Sequence, residues 1–207
     1  MESRPTPSRS GTLGQRLAEV WELLDNAVQE PAEDLHLPSI ATIGLDEFPR
    51  SRTVVLRGFE RNRRELLIHT DFRSPKCREI EQHPSISWLF YDRGRKLQLR
   101  VRTTALLEAR SPRADTAWAN ATASSRRAYL APFVPSSPID TWHPNIPEEF
   151  QRTVPPIEAT EVGRENFALI VCRIEEIDRL DLGYDGHRRS RWRWDKNDRQ
   201  TCGWIAA

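Results

Sequence analysis

Glycine is scarce in this chain, with 9 residues among 207, and cysteine and methionine are scarcer still, at 3 and 1. None of the patterns GxGxxG, GxSxG or the Walker A loop occurs, so the common dinucleotide, hydrolase and P-loop signatures are absent. Cys77, Cys172 and Cys202 form no CxxC pair, which reads as reduced thiols in a cytoplasmic protein. His36, His69, His83, His143 and His187 show no metal-ligand spacing, and no metal is expected. A surplus of one charge sign is also missing: Lys+Arg 31 stand against Asp+Glu 30, which gives a general nucleic-acid role little support. No window approaches the roughly 18 continuous apolar residues of a membrane span. The stretch MESRPTPSRSG, residues 1–11, lacks the apolar core of a signal peptide and reads as a disordered lead-in. Without a secretion signal, the Asn120-Ala-Thr acceptor pattern is read as chance.

What is present is a succession of short strands in a single domain, residues 12–207. LGQRLAEVWELLDNAVQ puts Leu13, Leu17, Val20, Trp21, Leu24 and Val28 on one helical face. LPSIATIGL reads as a strand and DEFP as a turn. SRTVVLRGFE reads as one continuous strand centred on Thr53, Val54 and Val55, and ELLIHTDF, SISWLFYD and KLQLRVRTTALLEA supply three more. SPRADTAWANATASSRRAYLA reads as helical, opened by Ser111 and Pro112. A proline-rich loop without periodicity follows at about 132–156, long enough to be functional or disordered. ENFALIVCRIEEIDRLDL returns to strand, and HRRSRWRWD with TCGWIAA makes a closing hairpin. Many strands, few helices and no regular βαβ alternation predict a mostly β architecture with flanking helices, an antiparallel barrel.

One stretch poses a physical question. In LLIHTDFRSPKCREIEQHP, Ser74 is a good N-cap and Pro75 suits the first helical position, yet Arg73 and Lys76 crowd a helix end that is already positive. Cations converging there with Arg52, Arg57 and free backbone N–H groups would make a phosphate site. Solvated surface arginines are the alternative.

RSRTVVLRGFE, LLIHTDFRSPKCREIEQHP, WLFYD and KLQLRVR, in that order, resemble the pyridoxamine 5′-phosphate oxidase family of FMN-binding split barrels. The resemblance runs from about Leu37 to Arg110 and resumes at ASSRRAYLA, at ENFALIVCRIEEIDRL and at GHRRSRWRW. It is nearest the branch of uncharacterised FMN-binding proteins with TDxRSxK and a late GHRRSRW.

The resemblance implies a homodimer with FMN at the interface and a hydride passed from a small-molecule substrate to the flavin. It also implies the flavin contacts. Arg52, Thr53, Val54, Val55, Leu56 and Arg57 would hold the phosphate and line the ring; His69 and Thr70 would contact FMN at a strand end; Lys76 would be the phosphate lysine, beside Arg73 and Ser74. Gln98 matches a ring-contacting glutamine, Ser124 a hydroxyl reaching across the dimer, and Arg191 a late arginine near ring and tail. Arg57, His187 and Arg189 are the substrate-facing candidates, and no essential nucleophile is implied. Where the biosynthetic oxidase has Arg-x-His, this chain has His187-Arg188-Arg189, and Ala123 replaces a glutamine. Arg126, Arg127 and Tyr129 are the possible replacements for residues that hold the substrate phosphate. Weak or undetectable pyridoxamine 5′-phosphate oxidation is therefore expected. Two rivals remain, an FMN carrier or sensor without turnover, and a flavin-free nucleic-acid-binding barrel using Trp192 and Trp194 beside Arg191 and Arg193.

Overall fold

The computed structural model describes residues 11–207; residues 1–10, most of the expected lead-in, lie outside the described residues. The first helix, α1 (Leu13–Gln29), opens with a reciprocal cap: the Gln15 amide donates to the Thr12 hydroxyl while the Gln15 side chain accepts from the Thr12 amide. Its apolar face, Leu17, Val20, Trp21, Leu24 and Ala27, is buried. Strands β1 (Ser39–Ile43), β2 (Pro49–Thr53), β3 (Gly58–Glu60) and β4 (Glu65–Asp71) lead to α2 (Pro75–Gln82). Strands β5 (Ser85–Asp92) and β6 (Leu97–Glu108) precede α3 (Pro112–Asn120) and α4 (Ala123–Arg126), and β7 (Phe167–Asp181), β8 (Arg188–Trp194) and β9 (Gln200–Ile205) complete the chain.

All strand pairings are antiparallel, in the order β2-β1-β5-β6-β7-β4-β3, with β8 on β7 and β9 on β8. Strand β7 is the pivot. One edge pairs with β6 along its length; the other pairs with β4 over Phe167–Arg173 and with β8 over Glu176–Asp181. A register shift between Arg102 and Thr103 leaves Glu175 as an extra residue where the partner changes, as a bulge does when it bends a strand. Strict alternation along β5 and β6 sends Trp88, Phe90, Leu99 and Val101 inward, with Trp88 and Phe90 stacked at 5.7 Å. Helix α1 closes this core, Trp21 lying against Phe59 and Trp194. No helix among the described residues is long and apolar enough to cross a membrane.

Two sequence expectations need correction. SRTVVLRGFE is not one strand: β2 stops at Thr53, residues 54–57 belong to no strand, and β3 begins at Gly58. The reason is topological, because β2 pairs with β1 at one edge while β3 pairs with β4 at the other, so the chain must cross between them. Gly58 permits the landing: a Cβ there would lie 2.8 Å from Leu67 Cδ1. The long helical stretch after Ser111 is likewise broken, because Thr122 caps a new short helix through the Ser125 amide. At the end of α3 the Arg126 guanidinium donates to the Ala119 carbonyl and to the Trp118 carbonyl, which also accepts from the Ala121 amide.

Candidate functional site

The crossing is the first wall of a cleft. Val54 N–H donates to Pro38 O, Leu56 N–H to His36 O and Arg57 N–H to Leu67 O, all between 2.9 and 3.0 Å. These bonds hold an extended segment that belongs to neither strand. Leu56 is fully buried, while Val54 and Val55 are half-buried and face the cleft. The opposite wall comes from the end of β4, where Ile68, His69 and Thr70 join Lys76 of α2. The enclosed volume is about 530 Å³, within the range of small-molecule sites.

The proline-rich loop forms the third wall through Pro135, Pro144, Asn145 and Ile146. Its lack of periodicity does not leave it unanchored. The Asn145 side chain accepts from Phe133 N–H at 3.0 Å and donates to Phe133 O at 3.1 Å, closing the loop on itself. Arg73 donates to Ala131 O at 3.0 Å, and Arg127 holds the Phe150 and Thr153 carbonyls.

The crowded helix end resolves cation by cation. Arg73 folds back on Asp71, with Nη2 2.7 Å from Oδ2 and Nε 3.0 Å from Oδ1. Arg52 is paired with the buried Glu79 at 2.9 Å and touches the Thr42 hydroxyl. Lys76 is different: its Nζ donates to Thr70 Oγ1 and Ser74 Oγ, both at 2.9 Å, and no carboxylate pairs with it among the described residues. Burial, the largest cause, with help from the Arg52 charge, lowers its pKa. Ser74 is the N-cap by position but makes no side-chain capping bond. Arg57 is exposed and has no ion pair or side-chain hydrogen bond among the described residues. Burial and then the Arg57 charge push His69 down to about 4, so its imidazole is neutral at neutral pH. The arrangement offers an anion one unneutralised ammonium, two hydroxyls and one free guanidinium beside an apolar strip.

The expected site residues divide into two groups. Arg52, Thr53, Val54, Val55, Arg57, His69, Thr70 and Lys76 line the cleft; Leu56 lies beneath it, and Arg73 and Ser74 adjoin it. Gln98, Arg189 and Arg191 lie elsewhere, together, on the outer face of β6, β7 and β8. Gln98 stands opposite Leu180, Leu180 opposite Arg189, and Arg191 opposite Asp178. Asp178 gathers this second group, accepting from Arg189 at 2.8 Å and from Arg100 at 2.7 Å. Ser124 is exposed on α4 and His187 is exposed between β7 and β8.

Arg126 and Arg127 are used within the fold. Arg126 is buried, paired with Glu161 and stacked 4.6 Å from the Trp118 ring. Tyr129 packs with Trp118 and Phe167 at the floor of the cleft. Trp192 is fully buried and Trp194 packs on Trp21, so these rings belong to the core and are not displayed for bases. Sequence reasoning missed Glu79, Asp178 and Asn145, which are isolated in sequence from what they hold. It also missed Asp71, for which its spacing of two residues from Arg73 was a usable signal.

Residues 18–108 match the family model described as pyridoxamine 5′-phosphate oxidase, FMN-binding domain, a span that holds the crossing, Lys76 and Gln98. The chain is 28% identical over 180 residues to pyridoxine/pyridoxamine 5′-phosphate oxidase 2 of Arabidopsis thaliana, covering 82% of this chain and 86% of that protein. Bacterial pyridoxine/pyridoxamine 5′-phosphate oxidases match over shorter stretches, from 30% to 49% of their own length. Among solved structures, a pyridoxamine 5′-phosphate oxidase-related, FMN binding protein of Nostoc punctiforme superposes with a TM-score of 0.72 at 20% identity, covering 95% of this chain and all of that one. PhzG of Burkholderia lata, solved with tetrahydrophenazine-1-carboxylic acid, gives 0.69 at 18% identity, covering 99% and 97%. With the split, antiparallel sheet described above, these similarities show that the chain has the split-barrel fold of the pyridoxamine 5′-phosphate oxidase-like structures, and that residues 18–108 are similar to that family's FMN-binding domain.

Proposed function

We propose that this protein binds FMN in the cleft and is an FMN-dependent oxidoreductase acting on a small molecule. The observation that carries the reading is Lys76, a half-buried ammonium held by two hydroxyls with no carboxylate to neutralise it. A phosphate dianion is the natural complement of that group at a helix start. Thr70 and Ser74 hold the ammonium toward the phosphate, while Glu79 and Asp71 neutralise Arg52 and Arg73 and leave Lys76 as the cation the anion meets. Val54, Val55 and Ile68 offer an apolar strip suited to a flat ring, and the proline-rich loop screens it from water. FMN, when bound, supplies the electron chemistry, taking a hydride from a substrate carbon and passing electrons to dioxygen or another acceptor.

The protein acts as a homodimer. Gln98, Arg191 and Ser124 stand apart from the cleft within one chain, and a second copy can bring such a group to it. The outer face that bears Gln98 also exposes Leu89, Tyr91 and Leu106, at 43%, 47% and 60%, an apolar surface suited to a two-fold contact.

The purified protein should be yellow, or become so on incubation with FMN, and anaerobic addition of a true donor should bleach it. A colourless protein that takes up no FMN would end this reading. The rival of an FMN binder without turnover draws support from Arg126 and Arg127, both committed to the fold. A flavin that no donor bleaches would favour it.

A further inference from the structure

Arg57 and His69 line not one cleft but two. Beyond them lies a second cavity of about 540 Å³, between β3, β4 and the face of α3, walled by Leu67, Leu169 and Ala117 and edged by Thr116, Asn120 and Ser125. The two spaces are neighbours through the same pair of side chains, so a molecule in one meets a molecule in the other at Arg57 and His69.

The charges around this second cavity are nearly all spoken for. Arg113 reaches Glu65 at 2.7 Å, Glu60 at 2.9 Å and Glu108 at 3.5 Å. Arg126 and Arg127, on the segment after α3, are held by Glu161 and by backbone carbonyls. Arg189, another of the three substrate-facing candidates, is paired with Asp178. Glu60 puts a carboxylate on the cavity wall itself. Among the described residues lining the cavity, Arg57 is the one cation without a partner.

Resting on the flavin reading above, we infer that this second cavity is the substrate site and that it takes a compact organic acid with a single carboxylate anchored on Arg57, not a phosphate ester. A planar guanidinium fork matches one carboxylate in two parallel hydrogen bonds. A phosphate ester brings close to two negative charges, one more than the free cation answers, and sets the second against Glu60. The apolar walls accept a flat hydrocarbon or heteroaromatic body.

Calorimetric titration of the FMN-loaded protein with benzoate and with phenyl phosphate, at about pH 8 where the phosphate is doubly charged, tests the assignment. Benzoate should bind at least about tenfold more tightly than phenyl phosphate, and Arg57→Ala should weaken benzoate by about tenfold or more. Glu60→Gln should raise the phenyl phosphate affinity more than that of benzoate. Phenyl phosphate binding as tightly as benzoate, or neither probe binding although visible absorbance shows full FMN, would overturn the inference and leave the flavin reading standing. Failure to take up FMN, read separately from the absorbance, would overturn both.

Discussion

Replacing Lys76 by methionine keeps the side chain's apolar stem and removes its charge. In the wild type the ammonium lies 2.9 Å from each of the Thr70 and Ser74 hydroxyls, and no carboxylate pairs with it among the described residues. A charge-assisted hydrogen bond to phosphate contributes about 1.5–3 kcal/mol, so the variant should bind FMN about 10- to 150-fold more weakly. The protein without FMN should be nearly indifferent to the change. Burial lowers the pKa of Lys76, so the unfolded chain binds that proton more tightly than the folded one. The charge is then a penalty, fully present below the folded-state pKa and gone above the unfolded value of about 10.5. Near neutral pH its removal relieves that penalty together with about 0.3–1 kcal/mol of repulsion at the helix end. The Ser74 hydroxyl, freed from the ammonium, becomes available to cap α2. Against these gains stand two lost hydrogen bonds of about 0.5–1.5 kcal/mol each, so the melting temperature without FMN should change little. With FMN in excess the ligand-linked gain should shrink by about 1.5–3 kcal/mol. Fluorescence titration with FMN and paired melts with and without it supply the four numbers. Equal FMN affinity and an equal FMN-induced shift in both proteins would refute the assignment of the phosphate to Lys76.

Light scattering should report a dimer, and Leu89→Lys, which puts a charge on the exposed outer face of β5, should give a monomer with weaker FMN binding. A monomer fully loaded with FMN would contradict the shared site. Pyridoxamine and pyridoxine 5′-phosphates should release peroxide about a thousandfold less efficiently than with a biosynthetic oxidase, two unmet polar contacts accounting for about 4 kcal/mol. Comparable turnover, abolished by Arg189→Ala, would restore the biosynthetic activity. His69 binds its proton at about 4 in the folded chain against 6.5 unfolded, so stability should fall as the pH drops through that window, by up to about 3 kcal/mol, and His69→Gln should flatten the decline. Melts of the FMN-free protein between those values show whether it does. Burial pushes the Cys77 thiol up to about 11 and raises that of the buried Cys172, whereas Cys202 is exposed. A thiol reagent at about pH 8 should therefore modify one cysteine in the native protein and all three after denaturation.

Patterns carried by neighbouring residues were legible in the sequence. The period of 3.6 in residues 13–29, the alternation in SISWLFYD and the Ser111-Pro112 start all describe backbone conformations that a few adjacent side chains decide. The ordered blocks around RTVVLR and TDFRSPK pointed to the cleft because those residues sit on segments that the sheet fixes side by side. Where β2 had to end was not legible. Val54 and Val55 have strand propensity, and only the need to travel from one edge of the sheet to the other leaves them outside the strands.

The sequence by itself thus determined most of the helices and strands, though not where β2 and α3 end, and that cations would gather at the start of α2. The tertiary structure decided which of those cations remain free. Arg52 meets Glu79 across 27 positions, Arg126 meets Glu161 across 35 and Arg113 meets Glu60 across 53, while Lys76 and Arg57 meet no carboxylate among the described residues. It also decided that Gln98, Arg189 and Arg191 would share a face apart from the cleft. The reason is physical. Backbone preference acts over a few residues, whereas a charge is neutralised by whatever the fold brings within about 4 Å, and that distance is set by the register and twist of strands far apart in the chain.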